Sequence, residues 1–145
     1  VYLVDTNVIS ELRKGPNGDP GVHQVLRTNE DLLFIPVQVL GELQFGIESL
    51  RRKGDLTQCE RLEQWMDTVK DNFEGRILPF DLSCALLWGR LRSGNDQNLI
   101  DKQIAAIALT YDLTLLTRNV RHYEHTGVRL LNPFFADRPA GPPEN

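Results

Sequence analysis

Five short apolar runs punctuate the chain: VYLV (1–4), LLFI (32–35), RILPF (76–80), LTLLT (113–117) and VRLL (128–131). Most are separated by longer stretches in which apolar residues recur every three or four positions. Such a period marks a helix with one buried stripe, whereas a short run that is apolar throughout marks a strand covered on both faces. Strands that alternate with helices pair in parallel, because a parallel neighbour is reached only through a long crossover. The alternation therefore predicts an α/β chain built on a parallel sheet.

Three helical patterns are clear. Val37, Leu40, Leu43, Ile47 and Leu50 place one stripe on a helix that begins after Pro36. Over 55–72, Leu56, Cys59, Leu62, Trp65, Met66 and Val69 form a second stripe, with Gly54 at the bend before it and Gly75 as its stop. Over 100–111, Ile100, Ile104, Ala105, Ile107, Ala108 and Tyr111 form a third, whose alanines let the backbone lie close to the sheet. A fourth helix, over 82–92, is less patterned. The length of 145 residues suits one domain, expected over 1–132. The segment PFFADRPAGPPEN (133–145) holds four of the eight prolines and reads as an appended tail without regular structure.

No apolar run approaches the roughly 20 residues of a membrane span, and the start lacks the features of a secretory signal, so a bacterial cytoplasmic setting is expected. Cys59 and Cys84 stand alone, without the spacing of a zinc site or a disulfide framework. The net charge of −4 argues against broad electrostatic binding of nucleic acid but leaves room for a local basic patch.

The first strand ends on Asp5-Thr6-Asn7. Ligands of open parallel sheets bind at the carboxyl ends of strands, and a carboxylate placed there is costly unless bonded, paired or bound to a metal. Asp5 or Asn7 also suits the N-cap of a helix continuing through Ile9 and Leu12, and the two readings are compatible. Glu42 borders the apolar stripe of its helix, where the alternative is a solvated flank. Asp101 shares a face with Ile104, Ala105 and Ala108, although an acid in a first turn also complements the helix dipole. The run LTLLTRN repeats the pattern of LVDTN, with Thr117 at the strand end and Asn119 just beyond. Three carboxylates drawn together would raise one another's pKa unless a cation neutralised them. All-oxygen ligands suit Mg²⁺ or Mn²⁺, whose natural chemistry is attack of water on a phosphodiester.

LVDTNVISEL, GEL around Glu42, DKQIAAIAL and LLTRNVRHYE together resemble the PIN-domain ribonuclease toxins of the VapBC type, in particular the FitB-like branch. The resemblance runs from Val1 to about Pro133. It implies a PIN fold with a central five-stranded parallel sheet flanked by helices, and Mg²⁺- or Mn²⁺-dependent endonucleolytic cleavage of structured RNA. It also implies a homodimer and a cognate VapB-type antitoxin, which binds DNA in the complex. Asp5, Glu42 and Asp101 occupy the family's main acidic positions, and Thr6, Asn7 and Thr117 would support them. At the fourth position this chain departs from the pattern: Asn119 stands where an acid is common, and His122 stands at the other site where one occurs. Asn119 retains an amide oxygen for the site but supplies one charge fewer, so a second ion is expected to bind weakly.

Arg118, Arg121, Arg13 and Lys14 are the candidate contacts to RNA phosphates, while Arg51, Arg52 and Lys53 suit a helix end, where positive charge complements the dipole. His23, His122 and His125 have no metal-ligand spacing and are expected at the surface, with a contribution to the site as the alternative for His122. Two other readings remain open at this level: a metal-dependent nuclease acting on DNA, and a non-catalytic binding module in which the acids are caps and surface charges.

Overall fold

The computed structural model describes residues 1–140 and places a strand at each of the five apolar runs: β1 (Tyr2–Val4), β2 (Leu33–Pro36), β3 (Ile77–Leu78), β4 (Thr114–Leu116) and β5 (Leu130–Leu131). All neighbours pair in parallel, in the order β3-β2-β1-β4-β5. The helices are α1 (Thr6–Leu12), α2 (Pro20–Thr28), α3 (Val37–Arg52), α4 (Leu56–Asn72), α5 (Leu82–Arg92) and α6 (Leu99–Thr110).

Alternating side chains send successive residues to opposite faces of the sheet. Val4, Leu33, Ile35 and Leu116 join α1 to α4 in one core, while Leu3 and Leu115 join α5, α6 and Tyr123 in the other. A third cluster, Ile47, Cys59 and Leu62, zips the α3–α4 hairpin, whose bend is Gly54 at a φ of +75°. On α6, Ile104 to Ala108 are all buried, so the alanines do bring that helix onto the sheet.

The stripes differ from expectation at their ends. Val37, Leu56 and Ile100, each in the opening turn of its helix, are exposed, and Val39 takes the inward place on α3; Tyr111, the C-cap of α6, is exposed as well, its hydroxyl donating to Asp81. Helix α2 carries no expectation from the sequence, although Asp19-Pro20 caps it: Asp19 accepts the N–H groups of Gly21 and Val22.

The chain beyond Asn132 is not a structureless appendage. Phe134 is buried in the core, Phe135–Asp137 form a 3-10 turn, and the N–H groups of Phe135 and Ala136 donate to Asp19 at 2.8 and 3.0 Å. Its prolines bar a helix but not docking. The last five residues of the expected tail, 141–145, lie outside the described residues.

Strand order reverses at β1, which is flanked by β2 on one side and β4 on the other. In open parallel sheets that reversal opens a crevice at the strands' carboxyl ends. Asp5 follows β1 and Thr117 follows β4, so the crevice lies between them.

Candidate active site

Asp5 is 4% exposed and caps α1, so the capping and ligand roles fall on one side chain. Its Oδ1 accepts the Thr6 N–H at 2.8 Å. Its Oδ2 accepts from Thr117 Oγ1 at 2.8 Å, Tyr123 OH at 3.1 Å and Asn7 Nδ2 at 3.3 Å. Burial holds this carboxyl above its ordinary pKa, against the bonds from Thr117 and Thr6, and the charge of Asp101 adds to the shift. Asn7 staples the two strand ends: its amide also donates to Thr117 Oγ1, and its Oδ1 accepts the Arg118 N–H at 3.0 Å. Thr117 in turn receives the Asn119 N–H at 3.1 Å.

Asp101 stands in the first turn of α6, half-buried. Its Oδ1 meets Tyr123 OH at 3.2 Å and its Oδ2 meets His122 Nδ1 at 2.8 Å. One fully buried hydroxyl thus spans the two acids, and burial between their charges pushes its own pKa far up. The 3-10 turn Val120–Tyr123 delivers both groups.

Glu42 reaches the site from α3 at its exposed border, as the edge of the stripe suggested. Burial of its carboxyl group raises its pKa, and the charges of Asp5 and Asp101 raise it further, which places the three acids in one electrostatic neighbourhood. The Thr6 hydroxyl opposes that shift, yet it makes no well-formed hydrogen bond and is left buried without a partner. Among the described residues, no three His, Cys, Asp or Glu side chains close around one point.

The remaining expected residues divide. Asn119 lies at the mouth of the crevice, exposed, with its side-chain amide unbonded to any described residue. Arg118 is committed to the C-terminal turn: it pairs bidentately with Asp137 at 2.9 and 3.0 Å and lies 4.4 Å over the Phe134 ring, so its guanidinium is spent on packing. Lys14 pairs with Glu11 at 2.9 Å, while Arg13 makes no ion pair with a described residue. Both line a cavity of about 1010 Å³ between α1, α3 and α4, with Thr6 and Glu42 in its wall. Arg121 lines another cavity, on the far side of Asp101.

Tyr123 was not legible as a site residue. An aromatic in LTRNVRHYE reads as core, and its ring is core; only the fold brings its hydroxyl between acids that are distant in sequence. His122, expected at the surface, is exposed but bonded to Asp101.

The PIN domain family matches residues 2–128 of the chain. Toxin FitB of Neisseria gonorrhoeae is 34% identical, over 92% of this chain and 99% of its own. The crystal structure of FitAcB from the same organism superposes with a TM-score of 0.74 at 32% identity, covering 92% of this chain and 98% of that one. VapC ribonuclease Y4jK of Sinorhizobium fredii is 29% identical over 92% of this chain and 98% of its own. VapBC2 from Rickettsia felis, solved bound to a DNA fragment from its promoter, superposes with a TM-score of 0.68 at 25% identity, over 90% of this chain and 97% of that one.

Proposed function

The chain belongs to the PIN-domain family, as a ribonuclease toxin of the VapC and FitB type, and from that premise we propose that it hydrolyses RNA phosphodiester bonds with a Mg²⁺ or Mn²⁺ ion held by Asp5, Asp101 and Glu42. The observation that carries this reading is the tie between Asp5 and Asp101 through Tyr123 at the strand-order reversal, with Glu42 facing the same charges.

The donor set suits such an ion: it is all oxygen, one member is buried, and the charge of Asp101 burdens Asp5 while those of both aspartates burden Glu42 until a cation offsets them. The unpartnered Thr6 hydroxyl is a further polar group able to bond a water in the ion's shell. When bound, the ion supplies an activated water and offsets the charge developing on the phosphate. Around it, Thr6 and Thr117 would hold the Asp5 carboxylate in one rotamer, His122 and Tyr123 would hold that of Asp101, and Glu42 would have to swing in from α3 to complete the set. Asn119 adds an amide but no charge, so one ion is the expected complement.

The groove between α1, α3 and α4 suits a VapB-type antitoxin. Leu43, Leu62 and Trp65 line it, Phe45 stands 75% exposed beside them, and Glu42 sits in its wall. An amphipathic segment would bury apolar residues there while an arginine pairs with the acids and excludes the ion. The DNA in the solved Rickettsia complex accords with a partner that carries DNA contacts. A homodimer and a structured RNA substrate complete the reading.

RNA and DNA oligonucleotides of one sequence, incubated with purified protein and Mn²⁺, test the substrate class. The expected result is cleavage of RNA alone; cleavage of DNA in preference would replace this reading with the DNA-nuclease one.

A further inference from the structure

On the side of Asp101 away from the antitoxin groove, a polar cavity of about 550 Å³ lies between residues 93–98 and the 3-10 turn Val120–Tyr123. That volume falls within the range of small-ligand sites. Lys102 is 6% exposed at its wall, and its ammonium donates only to neutral oxygens, those of Asn95 and Gln97. Arg121 and His125 line the same space and pair with no described residue. No acid lines the cavity among the described residues, although the chain as a whole carries −4. Of the carboxylates near in sequence, Asp96 is engaged by Arg92 at 2.7 Å and Asp101 by His122 and Tyr123, while Glu124, beside His125, is exposed and does not line the cavity.

A buried ammonium bonded only to neutral oxygens, whose charge reaches an Asp96 already paired with Arg92, favours a further anion nearby, and a free guanidinium matches a phosphate bidentately. Hydrogen-bonding groups suited to a base surround these charges. Asn95 Oδ1 accepts from Gln97 N–H and Lys102, which leaves its NH₂ unbonded. Asn98 holds the left-handed conformation at a φ of +52° and makes no capping bond, so its amide is also unengaged.

We propose that this cavity is a subsite for the nucleotide next to the scissile phosphate of the RNA, its phosphate bound by Arg121 and His125 under the charge of Lys102, and its base edge read by Asn95 and Asn98. The proposal rests on the ribonuclease reading. His122 joins the two sites, because it lines the cavity and bonds Asp101. A strand seated here places its next phosphate at the carboxylates.

The test is fluorescence anisotropy of a labelled single-stranded RNA oligonucleotide on Asp5→Asn protein, which binds without cutting, across a series of salt concentrations. Adding Arg121→Ala and His125→Ala should weaken binding about tenfold or more, as expected when charge-assisted bonds are removed. It should also lower the salt slope by about 0.7 for each phosphate that is no longer neutralised. Arg129→Ala removes a positive charge at the opposite end of β4, where Arg129 pairs with Asp112, and should leave affinity unchanged. If the Arg121 and His125 changes act no more strongly than Arg129→Ala on a protein that binds RNA, the subsite is overturned and the ribonuclease reading stands. If the parent protein binds no RNA, both fall.

Discussion

At the scale of single residues, every carboxylate oxygen of Asp5 and Asp101 has a hydrogen-bond partner, which would fix both acids for the proposed ion. Groups that orient metal ligands are commonly worth about 10–100-fold in metal affinity. Tyr123→Phe keeps the buried ring and removes only the shared hydroxyl, so Mn²⁺ titration should show affinity lower by about that factor, with an unchanged circular dichroism spectrum. The raised pKa of Asp5 has a stability consequence of definite sign. A carboxyl raised above its ordinary value of 3.8 contributes stability while protonated, below that value, and loses it as pH rises through the higher folded one. Asp5→Asn, neutral throughout, should therefore flatten the fall in Tm of ion-free protein between acidic and neutral pH; an unchanged slope would show that Asp5 is not its source. The three candidate acids stood out in the sequence because Asp5 ends an apolar strand, Glu42 borders an apolar stripe and Asp101 shares the face of one. Tyr123 did not, since nothing local distinguishes a core tyrosine from one whose hydroxyl bridges two acids, and His122 stood out only through its place in the family pattern.

At the scale of elements, strand positions followed directly from the apolar runs, and α3, α4 and α6 from their stripes, because burial imposes both periods; α5, with Cys84 its one fully buried residue, carries little pattern. The sequence pattern was blind to how elements meet end to end. Helix α2 receives the C-terminal turn across Gly21, where an added Cβ would lie 2.3 Å from the carbonyl oxygen of Pro133 and 2.7 Å from the Phe135 nitrogen. Both neighbours are backbone and cannot swing aside. Gly21→Ala should cost about 1–3 kcal/mol by overpacking, read as a lower midpoint of denaturant unfolding. The same docking draws in Arg118: a basic residue beside a candidate strand-end site looks like a phosphate ligand, and only the returning chain shows it paired with Asp137 and stacked on Phe134.

At the scale of the whole molecule, parallel topology reverses strand order at β1, sets α1, α3, α4 and the groove proposed for an antitoxin on one side, and sets α5, α6 and the basic cavity on the other. The acids sit between them, so a net negative chain can still present cations on both approaches to its centre. The described C-terminal segment closes the core, as the proline content alone did not reveal. Phe134→Ala should lower stability by about 3–5 kcal/mol in denaturant unfolding, whereas an unpacked tail would tolerate it. Central to this account is one dependence: RNA cleavage through an ion held by Asp5 and its neighbours. Chelator-stripped protein should leave RNA intact, regain cleavage as Mn²⁺ is added back, and stay silent at every Mn²⁺ concentration when it carries Asp5→Asn. Cleavage that persists both in chelator and in the Asp5→Asn protein would contradict the account.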